Sequence, residues 1–170
     1  MPVAKRKVHH MDLEALDTIN REVVTLTQEP HEYSKADGEQ LELLLKDVVS
    51  RADNQDFEEA VPEKASLLVF KLATGQHYRA GNMRTALVAG LVFLLKNGYT
   101  IRIDSPELVS IVDKAGVAGA SLDDVYEVMG RLSAKSATER RAWATAAKAA
   151  VKAHGKFLMD VASRRDDSQD

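Results

Sequence analysis

The segment from Ala65 to Lys96 reads ASLLVFKLATGQHYRAGNMRTALVAGLVFLLK, and it places two apolar stretches on either side of a short polar loop. Each stretch is apolar on nearly every face of a helix, which is typical of helices buried at the centre of a protein. Gly75 is expected to terminate the first helix, and the second is expected to begin near Asn82. The segment therefore predicts two adjacent buried helices joined by a loop.

The N-terminal half of the chain also has helical periodicity. Apolar residues along one face predict a first helix that Pro30 ends, followed by a second helix with Asp37 as its N-cap. Pro62 and Glu63 are expected to open the helix that precedes the loop. This half of the chain is therefore predicted to be helical throughout.

Helix-start signals continue in the C-terminal half. Ser105-Pro106, and Ser121 with Asp124, predict the beginnings of two more helices. Residues 136–139 have the form of a capping box and predict one long alanine-rich helix after them. Residues 99–103 have β-branched character and are expected to be a short extended piece. The sequence as a whole predicts an all-α fold.

Four parts follow one another along the chain. We expect a flexible N-terminal arm over 1–10, a helical domain over 11–133, a C-terminal helical extension over 134–163 and a polar tail over 164–170. Neither an internal repeat nor a long linker divides the chain. The prediction is one helical bundle with an added C-terminal helix.

The composition excludes several classes of protein. The chain has 170 residues and no cysteine, which rules out disulfides, cysteine-based zinc sites and thiol catalysis. The net charge of −3 gives no general basis for nucleic-acid binding, and no nucleic-acid partner is expected. No apolar run reaches the roughly 20 residues of a membrane span, and no apolar segment follows Lys5-Arg6-Lys7 as a signal peptide requires. We therefore expect a cytoplasmic protein without a membrane partner.

The loop before the second buried helix has the features of an anion-binding site. The first N–H groups of a helix have no partner within it, and the helix dipole places positive charge at the same end. Gly81, Asn82 and Met83 supply such amides, and Arg84 adds a fixed charge within the first turn. These four residues are the predicted phosphate- or nucleotide-binding site.

Residues 75–87, GQHYRAGNMRTAL, resemble the signature of the Fic/Doc family, H-x-F-x-[D/E]-G-N-[G/K]-R. The closing residues 81–87, GNMRTAL, are similar to the A-N-K-R-T-A-L of the Doc branch. Further segments between Met11 and Leu132 resemble the other helices of Doc-type toxins. The resemblance implies a Fic/Doc-like helical bundle.

Fic/Doc proteins bind a nucleoside triphosphate and transfer AMP, or in Doc a phosphate, to a protein hydroxyl. By position, the resemblance implies that Asn82 and Arg84 hold phosphate and that ATP or another nucleotide is the ligand. Gln76 stands where the family has its catalytic histidine, and Tyr78 stands at its phenylalanine position. Ala80 stands at the acidic position that binds magnesium in the family.

These substitutions change the expected chemistry. A glutamine cannot accept a proton at neutral pH, and a general base contributes about 10²–10⁴-fold in rate. Ala80 has no side-chain oxygen for magnesium, so no metal-binding residue is predicted and the metal would be held poorly. His77 is one residue out of register and is either a substitute base or a partly exposed loop histidine. We therefore expect AMP or phosphate transfer to be weak or altered, because Gln76 occupies the position of the catalytic base.

Three functions stay open at this point. The chain could be a Fic/Doc-type AMP- or phosphotransferase or toxin with a modified site, or a nucleotide-binding pseudoenzyme without turnover. It could also be an interaction module that pairs with an antitoxin-like partner. Nucleotide binding separates the first two from the third, and turnover separates the first from the second. The sequence names neither a target protein nor an oligomeric state.

Overall fold

The computed structural model describes the chain from Arg6 to Asp167. Within that range the fold is all-α, as the sequence predicts, with one short antiparallel strand pair that sets Tyr99 opposite Lys135 and Thr100 opposite Ala134. The elements in chain order are α1 (Leu13–Thr25), α2 (Lys35–Ser50), α3 (Phe57–Gly75), α4 (Asn82–Lys96), β1 (Tyr99–Thr100), α5 (Pro106–Gly116), α6 (Leu122–Leu132), β2 (Ala134–Lys135), α7 (Trp143–Ala153) and α8 (Gly155–Asp167).

Helix α4 lies at the centre of the bundle. It packs against α1, α3, α5, α7 and α8, and every residue from Asn82 to Leu94 is buried. Its contact with α3 is close at Gly90, where a Cβ atom would lie 2.6 Å from Val69 Cγ2. The prediction of two adjacent buried helices is confirmed, because an all-round apolar helix is stable only when other helices surround it.

Several predicted helix boundaries are confirmed. Ser105 precedes α5 with Pro106 in its first turn, and Ser121 forms a capping box with Asp124 at the start of α6. Helix α4 begins at Asn82, as expected. These boundaries rest on contacts between near neighbours in sequence, which a local pattern specifies.

Two predicted helix starts are wrong. Helix α2 is capped by Ser34, whose Oγ accepts a hydrogen bond from the N–H of Asp37 at 3.0 Å, so Asp37 lies inside the helix. Helix α3 begins at Phe57, and Pro62 lies within it. A proline there removes one backbone hydrogen bond. The ring of Phe57 packs against that of Tyr99 with centroids 6.4 Å apart, and this tertiary contact supports the extra turn.

The end of α3 also differs from the prediction. The left-handed residue that terminates the helix is Gln76, with φ 51°, and Gly75 is the last helical residue. A Cβ atom on Gly75 would lie 2.4 Å from Nε2 of His77, so a larger residue there would displace the imidazole ring.

The predicted capping box at residues 136–139 is wrong, and so is the single long helix after it. The N–H of Ser136 donates to the carbonyl of Gly98 at 2.9 Å, and the N–H of Glu139 donates to that of Leu95 at 2.8 Å. These bonds tie the segment to the end of α4, and the helix begins only at Trp143. It then divides into α7 and α8, with His154 as the C-cap of α7.

The C-terminal helices belong to the same core as the rest of the bundle. Helix α7 packs on α1 and α4, and α8 packs on α4 and α7. Their buried apolar residues are Ala146, Ala147, Ala150, Val151, Leu158 and Val161. Helix α8 extends to Asp167, past the predicted start of a polar tail at residue 164, and residues 168–170 lie outside the described range. None of the described helices is long and apolar enough to cross a membrane.

The arm predicted to be flexible over 1–10 contacts the bundle where it is described. Residues 1–5 lie outside the described range. The side chain of Asn97 accepts a hydrogen bond from the N–H of His9 at 2.7 Å and donates one to its carbonyl at 3.0 Å. This pair of bonds attaches the arm to the C-terminal end of α4.

Candidate functional site

The loop between α3 and α4 borders a cleft of about 430 Å³. We call this the Arg84 cleft. Its wall consists of the loop, the first turn of α4, the segment after α1 and one turn of α8. The lining residues used below are Thr27, Glu29, Gln76, Arg79, Ala80, Gly81, Asn82, Met83 and Arg84. All four predicted phosphate-binding residues and Gln76 therefore lie at one cleft.

Asn82 fixes the shape of the loop. Its side-chain oxygen accepts a hydrogen bond from the N–H of Tyr78 at 3.0 Å, and its Nδ2 donates to the carbonyl of the same residue at 2.7 Å. Gly81 enters α4 with φ 73°, and a Cβ atom on it would lie 3.0 Å from Val24 Cγ1. The side chain of Asn82 is thus used to close the loop, and the backbone amides around it belong to the start of α4.

The N-terminus of α4 has no side-chain cap among the described residues. Its N-cap is Gly81, which offers no side-chain oxygen to the amides of the first turn. Free N–H groups and the positive end of the helix dipole then lie at the same place. This arrangement favours an anion at the cleft.

Arg84 already has an internal anion beside it. Its side chain is 6% exposed, and its Nη2 donates to Oε1 of Glu29 at 2.7 Å, while the Glu29 side chain is 40% exposed. Nη1 donates to Thr27 Oγ1 at 3.1 Å and to the carbonyl of Val23 at 3.4 Å. A cation in the first turn of a helix is opposed by the dipole, and the carboxylate of Glu29 offsets that repulsion.

The carboxyl group of Glu29 is held in its charged form. Burial by itself raises its pKa, but the hydrogen bonds from Thr27 and Arg84 and the charge of Arg84 outweigh burial, so the pKa lies below its ordinary value. Glu29 is therefore a weaker proton acceptor than an ordinary glutamate. It is also the one carboxylate among the described residues that line this cleft.

Gln76 lines the Arg84 cleft, but its amide group is partly committed. Its Nε2 donates to the carbonyl of Ala73 at 2.7 Å, which satisfies one of the last carbonyls of α3. Ala80 adds no side-chain oxygen to the cleft, and its carbonyl accepts a hydrogen bond from Asn20 at 3.0 Å. The described residues contain no cluster of three or more side chains that could hold a metal ion.

His77, the other predicted base, lies on the opposite side of the loop. It lines an adjoining cleft of about 330 Å³, which we call the His77 cleft, together with Asp37 and Ser34. Its Nδ1 lies 2.9 Å from Oδ1 of Asp37. Hydrogen bonds from His77 and Ser34 lower the pKa of the Asp37 carboxyl. The two clefts share Gln76 and Arg79.

A buried polar network supports the loop from α1. The hydroxyls of Tyr78 and Tyr33 each donate to one carboxylate oxygen of Asp17 at 2.8 Å. Burial and the neighbouring carboxylate raise the pKa of Tyr78 strongly and that of Tyr33 to about 12. Asn20 donates to Thr85 Oγ1 at 3.0 Å and also bonds the loop through Ala80. The Tyr78 side chain is buried.

Sequence reasoning missed the partners of the loop on and after α1. Asp17 and Asn20 are polar residues set among the apolar residues of α1, and this pattern could have indicated a buried polar function. Glu29 follows α1 and precedes Pro30, and nothing in its neighbours indicates a partner. Its contact with Arg84 spans 55 positions and appears only in the folded chain.

Comparison with family models, with curated proteins and with solved structures gives no match for this chain. The Fic/Doc resemblance accordingly rests on the motif and on the segments around it.

Proposed function

We propose that this protein binds the phosphate of a nucleotide in the Arg84 cleft, and that it is a Fic/Doc-like protein with feeble transfer activity. The observation that carries the proposal is Arg84, a buried guanidinium at the uncapped start of α4 that faces a cleft. Buried arginines are normally paired, and here the partner is a single carboxylate that is 40% exposed at its side chain. A phosphate group can replace that carboxylate.

The geometry suits an anion with several oxygens. Arg84 presents donors in a fixed fork, and the amides of the first turn of α4 lie beside it. Arg79 lies at the edge of the same cleft and is paired with Glu32 at 2.6 Å in an exposed ion pair, which contributes little and is easily exchanged. The cleft volume of about 430 Å³ lies within the usual range for small-molecule sites.

Glu29 competes with the ligand. Its carboxylate occupies the Arg84 donor that a phosphate oxygen would use. Binding therefore exchanges one charge-assisted hydrogen bond for another, and the net gain comes from the remaining phosphate oxygens and the helix amides. We expect the Kd for nucleotide to be millimolar or tighter. Removal of the Glu29 charge should lower that Kd.

The chemistry expected from the resemblance is transfer of AMP or phosphate to a protein hydroxyl. In the Arg84 cleft the candidate proton acceptors are poor, because Gln76 carries an amide and the pKa of Glu29 is lowered. His77 lines the adjoining cleft, where its Nδ1 pairs with Asp37. These features support slow transfer or nucleotide binding without turnover. Pairing with an antitoxin-like partner stays a prediction of the resemblance.

The test is nucleotide binding to the unmodified chain. ATP, other nucleoside triphosphates and inorganic phosphate are added with and without magnesium, and the unfolding temperature is followed. A ligand at 100 times its Kd stabilises the folded state by about 2.7 kcal/mol, which is a clear shift for a chain of this size. No shift at millimolar nucleotide, together with no binding by calorimetry, would reject the proposal.

A further inference from the structure

A third cavity, of about 370 Å³, lies between the N-terminal arm, the end of α2 and the start of α3. Four basic side chains line it, and we call it the arm pocket: Arg6, Lys7, His10 and Lys64. The one acidic residue in its described lining is Asp53. None of these residues lines the Arg84 cleft.

Lys64 is the deepest of the four. It is 1% exposed, and its Nζ donates to the carbonyls of Val48 at 3.2 Å and Val49 at 2.6 Å. Among the described residues it forms no ion pair, whereas buried lysines are rarely left without one. The carbonyls at the end of α2 compensate part of the charge, and the nearby charges of Asp53 and Glu63 also favour it. Burial outweighs them and lowers the pKa of Lys64, so the charge is incompletely compensated and favours a further anion nearby.

His10 adds an unpaired polar atom beside the same cavity. Its Nε2 is buried and has no hydrogen-bond partner among the described residues. Buried polar atoms are nearly always paired, and one without a partner calls for an explanation. Burial and the nearby charge of Lys64 lower the pKa of His10. An anion in the cavity would balance the Lys64 charge. It would also give the Nε2 atom of His10 a hydrogen-bond partner.

The mouth of the pocket carries two further cations. Arg6 and Lys7 are exposed, and the guanidinium carbon of Arg6 lies 4.3 Å from the centroid of the Phe57 ring. Neither side chain forms an ion pair with a described carboxylate. The ring contact holds the Arg6 guanidinium near the cavity with donors to spare. Basic groups therefore line both the floor and the mouth.

We propose that the arm pocket is a second anion site, which binds a small phosphate-bearing molecule such as a phosphate monoester. Lys64 and His10 form the floor, and Arg6 and Lys7 close over the ligand from the arm. A compact phosphate suits a cavity of this volume, whereas a nucleic-acid backbone would need an extended basic surface, and the chain has a net charge of −3.

The test is an NMR titration of the full chain with inorganic phosphate that follows the ring resonances of His10. We expect these resonances to shift and saturate in the unmodified protein. The double variant Arg6→Gln/Lys7→Gln should raise the phosphate concentration at half-saturation by about tenfold, the change expected when one charge-assisted hydrogen bond is lost. Both replaced side chains are exposed, so the variant should fold normally.

The matched control is Lys148→Gln/Lys152→Gln, which removes the same charge from exposed positions on α7. It should change the half-saturation concentration by less than about twofold, because both side chains are exposed and screened by salt and neither lines the arm pocket. His10 resonances that do not respond to phosphate overturn the proposal, as does an equal loss of affinity in the control. A response to a short DNA duplex without a response to inorganic phosphate also overturns it.

Discussion

The two clefts on either side of the α3–α4 loop are lined by different chemical groups. The Arg84 cleft has a buried cation and an uncapped helix N-terminus, but its glutamine cannot take a proton. The His77 cleft has an imidazole paired with a carboxylate at 2.9 Å, but it has no buried cation. The buried guanidinium and the imidazole therefore line different clefts, one on each side of the loop.

The separation follows from the backbone of the loop. Gln76 is left-handed, with φ 51°, and its side chain turns back to bond Ala73 in α3. His77 follows on the opposite side, where its ring packs on Gly75 and reaches Asp37. Because Asn82 bonds both backbone groups of Tyr78, the loop is held in this arrangement. A proton-accepting side chain in the Arg84 cleft therefore requires a substitution at Gln76.

The largest effect is expected from putting a base and an acid into the Arg84 cleft. Gln76→His with Ala80→Asp should raise transfer to protein hydroxyls by up to about 10²–10⁴-fold, because both side chains line that cleft. The added carboxylate would supply the oxygen that magnesium needs. Incorporation of α- and γ-labelled nucleotide in cell lysate measures the effect.

Two controls separate the clefts in that experiment. Gln76→His alone should help less, because the metal-bridged phosphate would still be poorly held. His77→Ala in the double variant should leave transfer nearly unchanged, because this side chain faces the other cleft. Robust transfer by the unmodified chain that survives Gln76→Ala but is lost in His77→Ala would reverse our assignment of the two sides.

Removal of the cation should have the next largest effect. Arg84→Ala should weaken nucleotide or phosphate binding by about 1.5–3 kcal/mol, the range for a hydrogen bond to a charged group. Isothermal titration calorimetry measures the change, with circular dichroism to check that the variant is folded. Arg79→Ala is the matched control and should cost less, because Arg79 is exposed and already paired with Glu32. Equal affinities for Arg84→Ala and the parent would contradict the site.

Removal of the competing carboxylate should act in the opposite direction. Glu29→Gln keeps the shape of the side chain and removes its charge, so phosphate should bind Arg84 about tenfold more tightly, equivalent to about 1.4 kcal/mol. The same titration measures it, and Glu32→Gln serves as a control, because Glu32 is exposed and lines the His77 cleft. A weaker affinity in Glu29→Gln would show that the carboxylate helps the ligand bind.

The smallest effect concerns stability in acid. The pKa of Glu29 in the folded chain is below its ordinary value of 4.5, so the group stabilises the fold above that pH. The stabilisation is lost as the pH falls through the lowered pKa. Glu29→Gln should therefore lose less stability than the parent on acidification below about pH 4.5, measured by urea unfolding at several pH values. Parallel pH profiles for the two chains would show that Glu29 contributes no acid sensitivity.

The sequence by itself determined which parts of the chain are helical and which are central. Apolarity on every face placed α3 and α4 in the core, and the residues Ser105-Pro106 and Ser121 marked the starts of α5 and α6 correctly. It also placed Asn82 to Arg84 at a helix N-terminus, which in the structure borders a cleft. These features depend on the periodicity of the helix and on hydrogen bonds between near neighbours, which a local pattern contains.

Only the tertiary structure decided the contacts that join distant segments. Glu29 accepts a hydrogen bond from Arg84, and Asp17 accepts one from the hydroxyl of Tyr78. Residues 136–139 form hydrogen bonds to the end of α4 instead of starting a helix. No local pattern marks such partners, since each side chain has many distant groups of suitable chemistry. Which of them meet is settled when the apolar faces of the helices pack together.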